Sequence, residues 1–204
     1  MEYNYQEIIK DRMEKDPEFA QKVKNLREKR KMIENKDHAL NLLGNVDDIN
    51  IGRPTLRGNE LVINFRILRL IGLKWNLASL LGEKAGDGIV YSIGVKLGRS
   101  LVSGNVIKGK DSKEFITNFA ALIMNMKIGV SSIVEWKKDF PNIVKVDECV
   151  SCGGMSNIGE MLCHYEGGII AGTFSEYFKG LIVANEVLCW GHGDETCQFE
   201  LHAK

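Results

Sequence analysis

Five cysteines, Cys149, Cys152, Cys163, Cys189 and Cys197, all fall after residue 148 of this 204-residue chain, together with three of its four histidines. The number is odd, and the N-terminus, MEYNYQEIIKDR, has no apolar signal-peptide core. A disulfide framework therefore fits poorly, and crowded cytosolic thiols point to metal or redox chemistry. Glu186-Val187-Leu188-Cys189 leads into a turn, Trp190-Gly191-His192-Gly193-Asp194-Glu195, and Cys197 follows it. If the flanking stretches pair as a hairpin, Cys197 returns beside Cys189, with Glu186 on the strand leading in. Cys163 reaches the same place if the segment that carries it packs on the sheet. Three thiolates and a carboxylate suit a closed tetrahedral Zn²⁺ site, whose negative charge calls for nearby backbone amide donors. The competing reading of these thiols is that of small buried hydrophobes.

Cys149-Val150-Ser151-Cys152 is a single C-x-x-C. On a strand its sulfurs face opposite sides, so chelation needs a turn after Cys149, which Ser151 and Gly153-Gly154 permit. It reads as isolated thiols, as a redox pair or as a second metal site. With four ligands supplied from elsewhere, Cys149 and Cys152 are expected outside the zinc site. His192, in the turn, is an alternate ligand or a solvent-exposed histidine. His164 follows Cys163, and on a helix it points about 100° away from it. The chain has no GxxxxGK[ST], GxSxG or HExxH motif, which points away from an enzyme.

The elements that must position these residues can be read from pattern. Residues 1–45 form a charged arm with interleaved signs, helical and broken near Pro17. Turn residues cluster between 38 and 60. Leu70, Leu73, Leu77, Leu80 and Leu81 predict an amphipathic helix within 61–83, with a short strand around 61–65 before it. Residues 89–107 predict a second helix in which Gly94 and Gly98 allow close packing. Asp111 or Ser112 caps a third, over 112–127, with Glu114 in its first turn. Strands are expected over 126–136, 142–150, 181–189 and 196–201, with a helix around 158–178 between the middle two. Helices followed by β-β-α-β-β indicate an α+β domain over 50–204, with an antiparallel sheet of about four strands and one inserted helix.

Lysine plus arginine and aspartate plus glutamate both number 27. That balance gives no argument for a nucleic-acid or membrane partner. Residues 150–204 nevertheless carry seven acids and two bases, against 20 acids and 25 bases in the first 149. No apolar run approaches the length of a transmembrane helix, so a cytoplasmic protein is expected.

The segment from Glu148-Cys149 to Phe199 resembles the 4-vinyl reductase domain family. The matching text is Glu148-Cys149, Gly159-Glu160, Cys163-His164-Tyr165-Glu166-Gly167-Gly168, Ala171-Gly172, Glu186-Val187-Leu188-Cys189-Trp190, Gly193-Asp194 and Cys197-Gln198-Phe199. Weaker likeness extends back through Phe65-Arg66, Gly82, Tyr91, Gly94 and Gly98 to about residue 50. The resemblance implies a fold of the NO-signalling/Golgi-transport ligand-binding kind, shared with aromatic-hydrocarbon sensors and TRAPP vesicle-tethering subunits. It implies a small-molecule-binding module, often dimeric. In phenol-sensing relatives three cysteines and a glutamate hold zinc, and those positions fall on Cys163, Glu186, Cys189 and Cys197. Cys152 and the charged arm depart from those relatives, and no nicotinamide or flavin motif supports reductase chemistry. The expectation is a domain that binds or senses an apolar small molecule, with one structural Zn²⁺ per chain, assembled as a homodimer through its helices. The alternatives are a redox or iron–sulfur accessory protein or reductase, and a ligand-free dimeric scaffold.

Overall fold

The computed structural model describes residues 5–21, 52–56, 64–137 and 140–204. The rest of the arm expected over 1–45, and most of the turn-rich stretch 38–60, lie outside the described residues. Helix α1 runs over Tyr5–Lys15. The helical path breaks at Asp16, the residue that Pro17 drives out of helical geometry. The Asp16 carboxylate accepts from Phe19 N–H at 2.9 Å and so caps the following turn.

Between residues 64 and 81 the structure corrects the expected pattern. Asn64 and Phe65, placed in a strand by the sequence reading, are helical, and 61–63 lie outside the described residues. Helix α2, Ile67–Trp75, is wound as a π-helix and continues into α3, Asn76–Leu81. The leucine stripe is not the buried face. Leu70 is buried, but Leu80 is 77% and Leu81 55% exposed, while Arg66, Arg69 and Lys74 are buried. Arg66 and Arg69 stand three apart on one helical face and find polar partners inside the fold. Those partners decide which face turns inward.

Gly82, at φ 86°, separates α3 from α4, Glu83–Ser103. Helix α5, Ser112–Asn125, opens with Asp111, whose side chain accepts from Glu114 N–H at 2.9 Å. The Glu114 carboxylate accepts from Lys110 N–H at 2.8 Å, in the manner of a capping box. Strands β1 (Val130–Lys137) and β2 (Phe140–Asp147) follow, then α6 (His164–Phe178), β3 (Ile182–Leu188) and β4 (Cys197–Ala203). Among the described residues they make one antiparallel sheet of order β1-β2-β4-β3, with α6 inserted between β2 and β3. This is the α+β architecture the sequence order indicates. Helix α6 begins at His164, not near 158. Residues before it run irregularly, with Gly159 at φ 71° and the Ile158 and Glu160 amides donating to the Gly191 carbonyl.

The core lies between the sheet and helices α5 and α6. Val144, Val146, Phe199 and Leu201 from the strands meet Phe115, Phe119, Ile170 and Phe174 from the helices. Phe119 and Phe174 pack edge to face at 5.3 Å. On its other side α6 lies directly on α4. A Cβ on Gly98 would stand 2.3 Å from the Ile169 carbonyl oxygen, and one on Gly172 would stand 2.1 Å from that of Val95. Helix α6 is thus fixed on both flanks, and its N-terminus is delivered to the cysteines. Among the described residues no helix is long and apolar enough to cross a membrane.

Candidate metal centre

All five cysteines converge and all are buried. Register places two of them. Val146 of β2 pairs with Cys197, the first residue of β4. Beyond the end of β3, Cys189 precedes a short 3₁₀ turn at Trp190–His192 that reverses the chain. Its amide donates to the Asp194 carboxylate at 2.9 Å, and its sulfur accepts from Leu162 N–H at 3.4 Å. A register irregularity between Glu186 and Leu188 interrupts the strand leading in. Glu186 accepts from the Cys163 amide at 2.8 Å, which ties β3 to the start of α6.

Cys149 and Cys152 enter from the opposite side. The sequence reading expected them outside the zinc site; the structure brings their sulfurs up to the other cysteines. Glu148 at φ 52° turns the chain out of β2, and the Gly153 amide closes a turn onto the Cys149 carbonyl at 2.8 Å. This is the turn that chelation by a C-x-x-C requires. Cys149 Sγ lies 3.4 Å from Cys163 Sγ, and Cys152 Sγ lies 3.2 Å from both Cys163 and Cys197. Cys163 stands 3.6 Å from Cys197 and 3.9 Å from Cys189.

The separations of Cys163 from Cys189 and Cys197 fit the edge of a metal–sulfur tetrahedron, and those made by Cys149 and Cys152 are shorter. Sulfurs about 2.3 Å from a tetrahedral zinc stand about 3.8 Å apart. Sulfurs ligating an iron–sulfur cluster stand farther apart, because iron and sulfide lie between them. Two sets of four donors, each within 4.8 Å of one another, can be drawn: Cys163, Glu186, Cys189 and Cys197, and Cys149, Cys152, Cys163 and Cys197. The first contains an orphan, since Glu186 Oε1 is buried with no hydrogen-bond partner among the described residues. Burial, and then Cys189, push the Glu186 carboxyl well above its ordinary range. Burial likewise raises the Cys152, Cys163 and Cys197 thiols. Hydrogen bonding from Cys152 and other sulfurs pulls Cys149 down, and at Cys189 such bonds outweigh the opposing effect of burial. A buried ion would displace the remaining protons from these groups. The cluster can hold a metal ion.

Three buried arginines, which the sequence reading did not place at the site, frame the C-x-x-C side. Arg66 Nε donates to the Val150 carbonyl at 2.9 Å and Nη2 to that of Gly153 at 2.6 Å. Arg53 binds the carbonyls of Glu148 and, at 2.7 Å, Lys127. Its neighbours Thr55 and Leu56 donate their amides to the Glu148 carboxylate, at 3.1 and 2.8 Å. Gly52 lies so close that a Cβ there would stand 2.1 Å from Gly154 N. Arg69 pairs with buried Glu166 at 2.8 Å and donates to the Leu162 carbonyl at 2.8 Å. Glu166 also accepts from the Ser151 hydroxyl. The signal in the sequence was Arg66 and Arg69 inside an otherwise apolar run, Phe65–Leu73.

His164 and His192 belong to neither donor set. His164 turns its Nε2 toward Asp87 of α4, at 3.6 Å. The His192 side chain is 54% exposed, with Nδ1 3.7 Å from Asp194.

The family model of the 4-vinyl reductase domain matches residues 142–203, which contain all five cysteines and Glu186. An uncharacterized protein of Methanocaldococcus jannaschii, MJ0150, is 37% identical over 115 residues, covering 55% of this chain and 62% of its own. The chain therefore spans less than two thirds of that relative's length. A second uncharacterized protein of the same organism, MJ1642, is 31% identical over 137 residues, covering 67% of this chain and 74% of its own. Among solved structures, the phenol-responsive sensory domain of the transcription activator PoxR, with phenol, superposes with a TM-score of 0.53 at 15% identity. The match covers 66% of this chain and 72% of that one. It shares the fold of helices against a four-stranded antiparallel sheet. The domain match over the cysteine-bearing segment and the likeness to MJ1642 place the chain in the 4-vinyl reductase domain family.

Proposed function

We propose that this protein is a small-molecule-binding or sensing domain whose fold is held by a structural zinc at Cys163, Glu186, Cys189 and Cys197. The observation that carries the metal is the convergence of three buried sulfurs on a carboxylate with an orphaned oxygen. Zinc would supply charge and four fixed bonds there. Four protein ligands leave no open position for water, so the role is structural. Cys163, Glu186 and Cys189, and Cys197 join the start of α6, the end of β3 and the start of β4. The ligand is an apolar or aromatic small molecule, in line with the phenol that the PoxR sensory domain binds. A cavity of about 10 Å³ between α5, β2 and α6 is lined by Phe119, Ile123, Val146, Ile169 and Ile170, with Glu166 at its edge. That is room for about one water; a larger, open groove of about 460 Å³ lies along α4, lined by Ala85, Gly88, Ile89, Ser92, Ile93 and Lys96.

The protein acts as a homodimer. Leu80, Leu81, Ile89 and Ile93 on α3 and α4 are exposed apolar side chains that a second copy would cover. Five free cysteines suit the reducing cytoplasm. The small size of the cavity between α5, β2 and α6 favours one second reading, a ligand-free dimeric scaffold.

Thermal unfolding of metal-loaded protein against phenol and other small aromatics separates the two. Dose-dependent stabilisation by one of them supports sensing. No shift across the panel, with a dimeric mass by light scattering, supports the scaffold. Zinc absent from protein purified anaerobically without chelator removes the metal reading.

A further inference from the structure

The C-x-x-C does more than crowd the site. We propose that Cys149 and Cys152, with Cys163 and Cys197, form a second metal subsite, so that the chain holds two thiophilic divalent ions bridged by the Cys163 and Cys197 thiolates. This rests on the first ion's placement at Cys163, Glu186, Cys189 and Cys197. Geometry supplies the first argument. Cys163 and Cys197 belong to both donor sets and stand 3.6 Å apart, close to the edge of a metal–sulfur tetrahedron. A shared edge of that length lets one ion sit on each side of it. Cys152 approaches both bridging sulfurs equally, at 3.2 Å, and Cys149 approaches Cys163 at 3.4 Å. On the other side stand Cys189, 3.9 Å from Cys163, and Glu186, bonded to the Cys163 amide.

Charge supplies the second argument. A second divalent ion and the two thiolates it recruits add no net charge to the buried cluster. The buried cations that face the cluster from this side, Arg66 fully buried and Arg53 nearly so, therefore serve the one-ion and the two-ion centre alike. Arg66 holds both carbonyls that follow Cys149 and Cys152, at Val150 and Gly153, and its Nη1 has no hydrogen-bond partner among the described residues. Arg69 is matched by Glu166. Arg66 stands as a buried counter-charge beside a centre of five thiolates, one carboxylate and two divalent ions. Backbone supplies the third. Glu148 adopts a left-handed conformation that a non-glycine residue rarely takes, and its carboxylate is held by the Thr55 and Leu56 amides. The fold thus fixes the turn that folds both sulfurs inward.

The experiment counts ions on the full chain. Protein stripped under anaerobic conditions is titrated with Co²⁺, followed by its thiolate-to-cobalt absorption, and Zn²⁺ is counted by native mass spectrometry. Saturation at two ions per chain, falling to one in the C149S/C152S double variant and to one in E186Q/C189S, is expected. Wild type saturating at one ion, with C149S/C152S still holding one, overturns the second subsite and leaves the first intact. Wild type binding none overturns both. The count on wild type decides the matter even where a variant does not fold.

Discussion

The two sides of the sulfur cluster are built by different means. On one side Cys189 and Cys197 flank a hairpin turn, and the pairing of β3 with β4, down to Leu188 and Gln198, brings the two segments together. On the other, Cys149 and Cys152 sit in a turn whose carbonyls are held by Arg53 and Arg66, from segments about 85–95 residues earlier in the chain. The first side is local and needs only a sheet. The second depends on buried charge delivered from far away, so the helical layer and the cysteine cluster are one structure. A domain assembled this way should lose its two sides separately, and the residues they share should matter most.

Cys163 is in both donor sets, and its amide anchors Glu186. Cys163→Ser should give the largest effect: no metal retained after gel filtration, and a melting temperature lowered by about 10 °C or more, since metal binding energy is folding energy. Retention of one ion at wild-type stability would show that the two sides do not meet at this sulfur. Arg66→Met comes next. It leaves the Val150 and Gly153 carbonyls buried without their donor, at a cost of about 2–4 kcal/mol in urea unfolding. Metal content should fall by the ion on the Cys149–Cys152 side only. An equal loss from Glu186 and Cys189 would remove the distinction between the sides.

This division also explains what the sequence made legible. The hairpin side follows from alternation and turn chemistry around Trp190–Glu195, and the antiparallel pairing of β3 with β4, which carries Glu186 and Cys197, emerges from it. The Gly94 and Gly98 contacts were legible too, because glycines four apart in a helix have few other uses. The arginine side was not. Helical periodicity assumes that apolar residues face inward, and in α2 and α3 Leu80 and Leu81 face out while Arg66 and Arg69 face in. Partners at Val150, Gly153, Leu162 and Glu166 reverse the rule, and they lie 84–97 residues away along the chain. The strand expected around 61–65 failed at Asn64 and Phe65 for the same reason. A helical start is what sets Arg66 and Arg69 on one face. The approach of Cys149 and Cys152 to the other sulfurs was not legible either, because it depends on the turn that Glu148 makes.

Glu166 sharpens the comparison through pH. Burial pushes its carboxyl up to about 7, although Arg69 opposes the shift. Arg69 is itself held up by that carboxylate against its own burial. No working pH deprotonates the guanidinium, so the carboxyl is the member of the pair that titrates. Its folded value lies above the unfolded one, so the folded state binds the extra proton. The stability this contributes is complete below the ordinary carboxylate range and is lost as pH rises through about 7. Urea unfolding at fixed metal loading should show wild type losing stability relative to Glu166→Gln between about pH 4.5 and 7. A flat difference would mean that the arginine side carries no titrating group.

The smallest effect belongs to His192, and it tests the hairpin side. Its ring lies in the turn between Cys189 and Cys197, where an imidazole could replace a thiolate as ligand. The side chain is 54% exposed, however, with Nδ1 3.7 Å from the Asp194 carboxylate. That carboxylate already accepts the Cys189 amide at 2.9 Å, and this bond does not need the ring. His192→Ala removes only an exposed contact, so stability should change by less than about 0.5 kcal/mol in urea unfolding. Metal content by elemental analysis should stay at the wild-type value. A variant that loses an ion would put the imidazole in the coordination shell, and the hairpin side would then be held by its turn as well as by its strands.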